Sequence, residues 1–475
     1  MRTAVVSRRG GLLLRTLVLL LPAAGLARPW TVQAAGVAPE VAVEVEEEVY
    51  RYENPDNGAG PSWCFGNTCI VRGGSSLFVS GLEKIPDVRP LNNTRWLLYV
   101  RSDEGWRLAQ KDPRDRTREP SPLGILPDGS VLMSVNPTLT GPDAHAGPAQ
   151  PQILRFDARR PEAPFETILP VWEGNPDFTE HSYRSFAVDG VRGELILFQN
   201  VAYSHSAWAF RDGQGRWSAR GQLAWPWGAD YQKPQPIRVC YPSVQLRDRA
   251  VYFCGVSDIL EPNEAWRAYK RELTGRDWDY DFRRLFYTWT PDITGQPFRP
   301  WVELASRERT CGWITPCDLW VDDGGTVHVL WTERAIDPRL REKFFPGEKQ
   351  SESLHYARVR EGRIVSRCAI LHAEEGDASA PLPGRARFHV MPDGRLLVFL
   401  HARVPGSGGQ AADENRLLEI QEDGTPGPSV RVPLETPMAA FFTAGVRAGC
   451  RPSDTIDLLG DTGQAMRYAR VRVGR

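Results

Sequence analysis

Short apolar stretches separated by turn residues recur along this chain, and one arrangement of them keeps returning. Its fullest form is Thr179 to Asn200, TEHSYRSFAVDGVRGELILFQN, where one apolar run leads into Asp189-Gly190 and a second ends in polar Gln199 and Asn200. Two apolar runs flanking an Asp- and Gly-rich turn predict a β-hairpin. The same hairpin is read from Cys69 to Val79, Gly124 to Met133, Val244 to Phe253, Leu319 to Val329, Val390 to Val398 and Cys450 to Leu458, which makes seven in all.

Each hairpin is followed by a second pair of strands, starting near Trp96, Ile153, Ala207, Leu285, Leu354, Leu417 and Met466. Four strands repeating about every 55 to 75 residues predict the four-stranded antiparallel blades of a β-propeller. The expected fold is therefore all-β, one seven-bladed propeller over residues 36–475. The final blade runs to the C-terminus, while Val41 to Tyr52 (VAVEVEEEVYRY) alternates apolar and acidic residues as a half-exposed strand does. That strand is expected to supply the outer strand of the last blade and close the ring, leaving no open array edge. Insertions interrupt the repeat near 257–284 and 335–352. In the first, Asp277, Asp279 and Asp281 alternate with Trp278, Tyr280 and Phe282. That alternation reads as an acidic solvent face over an aromatic one; three carboxylates on one face would also suit calcium.

Composition narrows the partners. The 43 Gly, 39 Pro and 16 Trp suit short strands joined by turns. Lys and Arg (58) nearly balance Asp and Glu (59), so no global field favours nucleic acid or an anionic membrane. At the N-terminus, Arg2, Arg8 and Arg9 precede an apolar stretch from Leu12 to Ala27, and small residues follow at Ala34-Ala35. Residues 1–35 thus read as an export segment, with Ser7-Arg8-Arg9 and Leu12-Leu13 resembling a twin-arginine signal. The mature chain is expected to be a monomer in the periplasm or outside the cell, with no membrane span. Eight cysteines suit an oxidising compartment. Sequence proximity suggests the pairs Cys64/Cys69, Cys240/Cys254 and Cys311/Cys317, leaving Cys368 with Cys450. No Cys/His spacing of a zinc site occurs, and neither a metal nor a cofactor is expected.

In a propeller, the strand entering each hairpin lies innermost and its start opens at one mouth of the central channel. The residues at those starts are Arg118 and Glu119; His181, Tyr183 and Arg184; Arg238 and Tyr241; Arg309, Trp313 and Asp318; and Arg385, Arg387 and His389. Singly, each has a plain structural reading as a surface arginine, a hydrogen-bonded histidine or a core tyrosine. Together they place arginines from several blades near one mouth, and arginine grips carboxylate or sulfate through its planar fork. The implied partner is an anionic polysaccharide or glycan.

His181 eight residues before Asp189, the strand end Phe198-Gln199-Asn200, and Tyr241-Pro242 opening the next blade together resemble the BNR-repeat propellers that include ulvan lyases. Turns such as Arg101 to Trp106 and Arg211 to Trp217 resemble degenerate Asp-boxes. The resemblance implies cleavage of a uronate polysaccharide by β-elimination, with His181 and Tyr241 as base and acid. Arg238 or Arg184 would neutralise the carboxylate. It also implies a second histidine where Gln199 or Asn200 stands, so that His205 would substitute for it. The arginine expected near Cys254 to Ser257 is absent. Two other readings remain open on the same residues. One is a sialidase-like glycosidase using Arg118, Arg238 and Arg387 with Tyr241, Glu119 and Asp318; the other is a non-catalytic glycan- or protein-binding propeller.

Overall fold

The repeating pattern folds as seven four-stranded antiparallel sheets. A computed structural model describes residues 36–406 and 410–474, and the export segment expected over residues 1–35 lies outside the described residues. The first strands of the blades are Ile70–Gly73, Leu123–Ile125, Ser185–Asp189, Val239–Arg247, Trp313–Val321, Leu382–Val390 and Ala440–Thr443. Each packs beside the first strand of the next blade all the way round, so these seven strands line the axis. Apolar side chains fill the spaces between blades: Phe198 meets Phe253 edge to face at 5.1 Å, and Phe399 meets Phe441 at 5.0 Å. Such pairs contribute dispersion and quadrupole attraction beyond the area they bury.

The ring closes as the alternating pattern predicted. Val41–Arg51 is the outermost strand of the last blade and pairs antiparallel with Ala465–Val473. Its acidic face is used: Glu47 takes a two-pronged bond from Arg101 of the first blade, at 2.7 and 2.9 Å. Closure thus joins the first and last described strands to each other and to the neighbouring blade.

The seventh first strand differs from expectation. It is Ala440–Thr443, paired with Leu458–Asp461, whereas Cys450 to Asp454 lies outside the sheet. Pro452 lacks the N–H that a ladder needs, and the stretch from Ala444 to Asp454 turns instead into the channel. There Ile125 N–H donates to Ala448 O at 2.8 Å and Val188 N–H donates to Arg447 O at 2.9 Å. Gly449 permits this approach: its φ is +87°, and a Cβ built on it would lie 2.1 Å from Ile125 O. Gly449→Ala is accordingly expected to cost at least about 2 kcal/mol, from backbone strain and a backbone clash together. Urea unfolding checks this, and a loss below about 0.5 kcal/mol would refute the account of the loop.

The first insertion contains a helix not anticipated from the sequence, and of the alternating stretch Asp277 to Phe282 only Tyr280–Asp281 is a strand. Glu264–Thr274 forms a helix capped by the Asn263 side chain, which accepts from Trp266 N–H, and ended by Gly275 in the left-handed region at φ 67°. The three aspartates diverge to separate cations: Asp277 to Arg271, Asp279 to Lys270 and Arg339, Asp281 to Arg283. No calcium-binding face forms from them. The second insertion packs on the first through Trp266 with Phe345 and Tyr269 with Phe344. Beneath them lies a buried ionic cluster in which Glu261 pairs with Lys270 and Arg283, both at 2.8 Å.

Within that cluster burial, and then the charges of Glu308 and Glu261, push the Asp281 carboxyl up to about 7 against the pull of Arg283. A carboxyl raised on folding binds its proton more tightly in the native state, so its contribution declines as pH rises from about 4, its unfolded value, to about 7. His355 and His389 are lowered by burial to about 4 and act in the opposite sense below their unfolded value. The stability of the wild type minus that of Asp281→Asn is therefore expected to fall as the pH rises from about 4 to about 7 in urea titrations. A flat difference would contradict the assignment.

Most expected cysteine pairs are out of reach. Cys240 stands opposite Val256 and Cys254 opposite Ser243, offset along the paired strands. Cys311 contacts Arg283 and Glu261, while Cys317 points to Thr315 O. Cys368 belongs to the outer strand Arg363–Glu374 of the fifth blade, whereas Cys450 lies against the first blade, its sulfur accepting from Arg72 N–H. Cys64 and Cys69 alone among these pairs are neighbours, with sulfurs 3.5 Å apart.

Candidate functional site

A segment without hydrophobic periodicity, residues 57–69, fills the mouth at which the first strands begin. Asn67 fixes it, accepting from Phe186 N–H at 2.8 Å and donating to Arg184 O at 3.0 Å. Arg387 and Arg447 donate to the carbonyls of Phe65 and Gly66. This plug delivers Trp63 and Phe65 to the mouth. Trp63 packs against Tyr183 at 5.1 Å and Tyr241 at 5.3 Å, and Phe65 and Tyr183 each lie 5.3 Å from Tyr241. Phe282 continues the cluster to Trp313, 4.7 Å away and 38% exposed.

Tyr183 and Tyr241 both have left-handed backbones, at φ 40° and 50°. For Tyr241 the cause is a bulge between Cys240 and Ser243, which re-aims a side chain out of the ladder. Left-handed aromatic residues are strained, and such strain persists only where the surroundings enforce it. The Tyr241 hydroxyl has no hydrogen-bond partner among the described residues. Burial, followed by the charges of Asp258 and Cys240, pushes its phenol well above the usual range. At neutral pH it is therefore a proton donor.

The arginines sort into two kinds. Arg238 is tied to Asp258, 2.8 Å away, and caged by the rings of Tyr183, Tyr203 and Tyr280. Arg184 is bound to Glu119 at 3.3 Å and to Pro120 O, and Glu119 also holds Ser182. Arg387 faces Asp318 at 3.8 Å, and Asp318 additionally holds Arg447 and Phe388 N–H. These are internal clips, so Arg238, Arg184, Glu119, Asp318 and Arg387 brace the mouth. Arg309 is exposed beside Glu348.

Arg118 and Arg385 are different: neither makes an ion pair among the described residues. Arg118 donates from Nε to Asn57 O, lies over Trp63, and keeps a buried Nη1 without a partner. The Arg385 guanidinium sits 3.7 Å from the Phe65 ring centre, and burial brings it down to about 10, with Arg387 adding to the effect. Trp63 and Phe65 both pack on Tyr241, so the two rings that carry these arginines, which have no acid of their own, flank that residue. A desolvated cation without a counter-ion is costly, and a ligand anion would offset that cost.

His181, two residues before Tyr183, is partly exposed and has Nδ1 2.9 Å from Glu180 Oε1. Burial opposes charge on Glu180, but hydrogen bonds from His181 and Gly147 N–H outweigh it and hold the carboxyl at about 2. The ionised carboxylate orients the ring and fixes the proton on Nδ1, leaving Nε2 as the basic atom. Gln199 and Asn200 are buried and braced by Asn136 and Val239 O, each with an unpartnered oxygen. His205 starts the third strand of its blade and faces Ser204, outside the aromatic cluster. Its neighbour Tyr203 reaches Arg238 instead.

No protein-family model and no curated protein matches the chain. Among solved structures it is similar to polysaccharide lyase Uly1, at 11% identity and TM-score 0.48 over 91% of this chain and 93% of that one. An α-L-arabinanase of Penicillium chrysogenum complexed with arabinobiose gives 11% and 0.42 over 90% and 98%. An apocarotenoid oxygenase of Synechocystis gives 12% and 0.41 over 92% and 94%. Identity at this level assigns no residue a role.

Proposed function

We propose that the aromatic mouth is the active site of a polysaccharide lyase that cleaves a uronate-containing chain by β-elimination. The observation that carries this reading is the Tyr241 hydroxyl, free of internal hydrogen bonds among the described residues, on a ring packed against Trp63 and Phe65, which carry the acid-free Arg118 and Arg385. Arg385 grips the uronate carboxylate and stabilises the charge that develops on it as the α-proton leaves. His181 Nε2 takes that proton, its ring held by Glu180. Electrons of the broken C–H bond form the carbon–carbon double bond as the glycosidic C–O bond breaks, and Tyr241 protonates the departing oxygen. This differs from the assignment that the sequence resemblance implied, because Asp258 already occupies Arg238. A three-arginine sialidase grip is less well supported, since Arg238 and Arg387 are both tied to internal aspartates.

The test is product chemistry. Incubation with a panel of uronate polysaccharides is expected to generate the ultraviolet absorbance of an unsaturated uronate in step with new reducing ends. Reducing ends without absorbance would mean hydrolysis. Binding with neither would mean a glycan-binding module.

A further inference from the structure

The plug that carries Trp63 and Phe65 has a cysteine at each side of its turn. Asn67 N–H donates to Cys64 O at 2.9 Å, closing the chain back so that Cys64 and Cys69 face each other across Phe65 to Thr68. Their sulfurs are 3.5 Å apart and both residues are buried. We infer that Cys64 and Cys69 form a disulfide that latches the plug into the channel mouth. A bond requires the sulfurs to close to about 2.0 Å, a shift within the reach of two side-chain rotations.

The surroundings distinguish the two thiols. Burial disfavours a Cys69 thiolate, but the hydrogen bond with Cys64 and the charges of Arg184 and Arg387 prevail and bring it below the ordinary cysteine value. Burial, with the bond to Cys69, pushes Cys64 up. The oxidant is a disulfide donor of the thiol–disulfide exchange class, acting before the plug is fully buried. One cysteine sulfur attacks a donor sulfur, expelling the other donor sulfur as a thiol; the second cysteine sulfur then attacks the first and releases the second donor thiol. Two protein thiols and one donor disulfide become one protein disulfide and two donor thiols. The latch holds Phe65 beneath Arg385 and Tyr241, so it fixes the floor of the mouth whatever ligand the mouth takes.

The test is alkylation of the full chain, folded in a redox buffer of oxidised and reduced glutathione and then denatured. Six of the eight cysteines are expected to react before reduction and all after it, with peptide mapping placing the protected pair at Cys64 and Cys69. Reduction is also expected to lower the melting temperature by about 2–5 °C, and a Cys64→Ser/Cys69→Ser variant to show no such change. Eight reactive thiols, or protection mapped to another pair, would overturn the inference. If the double variant fails to fold, the thiol map of the wild type still decides.

Discussion

Tyr241→Phe is expected to lower turnover of a uronate polysaccharide by about 10²- to 10⁴-fold, the usual contribution of a positioned proton donor. Its effect on KM is expected to be small, because the ring remains and only the hydroxyl is removed. Structure and stability should barely change. The hydroxyl bonds to no described residue, so its loss breaks no internal hydrogen bond, and an effect within about 0.5 kcal/mol is expected. The packing of Tyr241 on Trp63, Phe65 and Tyr183 survives the substitution. Initial rates and urea unfolding on the same preparation check both halves. Full activity in the variant would remove Tyr241 from the mechanism, whereas strong destabilisation would mean that the hydroxyl has a structural partner.

Arg385→Ala has the second large effect, and it separates function from stability. Loss of the carboxylate grip is expected to reduce kcat/KM by about 10²- to 10³-fold, as for other preorganised charge stabilisers. Yet the melting temperature is expected to stay level or rise. The wild-type guanidinium is desolvated with no acid, a state that favours a ligand at the expense of the free protein. Loss of its stacking on Phe65, worth about 2 kcal/mol at a desolvated site, offsets that gain only in part. Arg238→Ala should behave in the opposite way, since it strands Asp258 as a buried charge. Breaking a buried pair in this manner costs about 3–5 kcal/mol.

Much of the architecture was legible because it rests on local patterns. Apolar runs around Asp-Gly turns gave the hairpins, and the Val41 to Tyr52 alternation gave the closing strand. The seventh first strand was misplaced because the Cys450 to Leu458 stretch has hairpin composition, although Pro452 argued against a ladder. The helix Glu264–Thr274 was missed although Asn263 and Gly275 are ordinary start and stop signals. Candidate arginines were located by position but not by availability. Arg387 and Asp318 come from different blades, as do Arg184 and Glu119, and no local pattern reveals which charges meet. Arg385 and Arg387 are two residues apart, yet only one has an acid. The bulge between Pro383 and Ala386 lies at this point of the strand. The Trp63 and Phe65 floor belongs to a segment with no periodic signal at all, though Glu180 was visible as the neighbour of His181.

The most direct test of the central claim is the rate of ultraviolet absorbance growth on a uronate polysaccharide, measured for the wild type and Arg385→Ala alongside their melting temperatures. The account predicts growth in the wild type, near-complete loss in the variant, and a melting temperature that is unchanged or higher. Equal rates in the two proteins, or no growth with any uronate polymer, would contradict it.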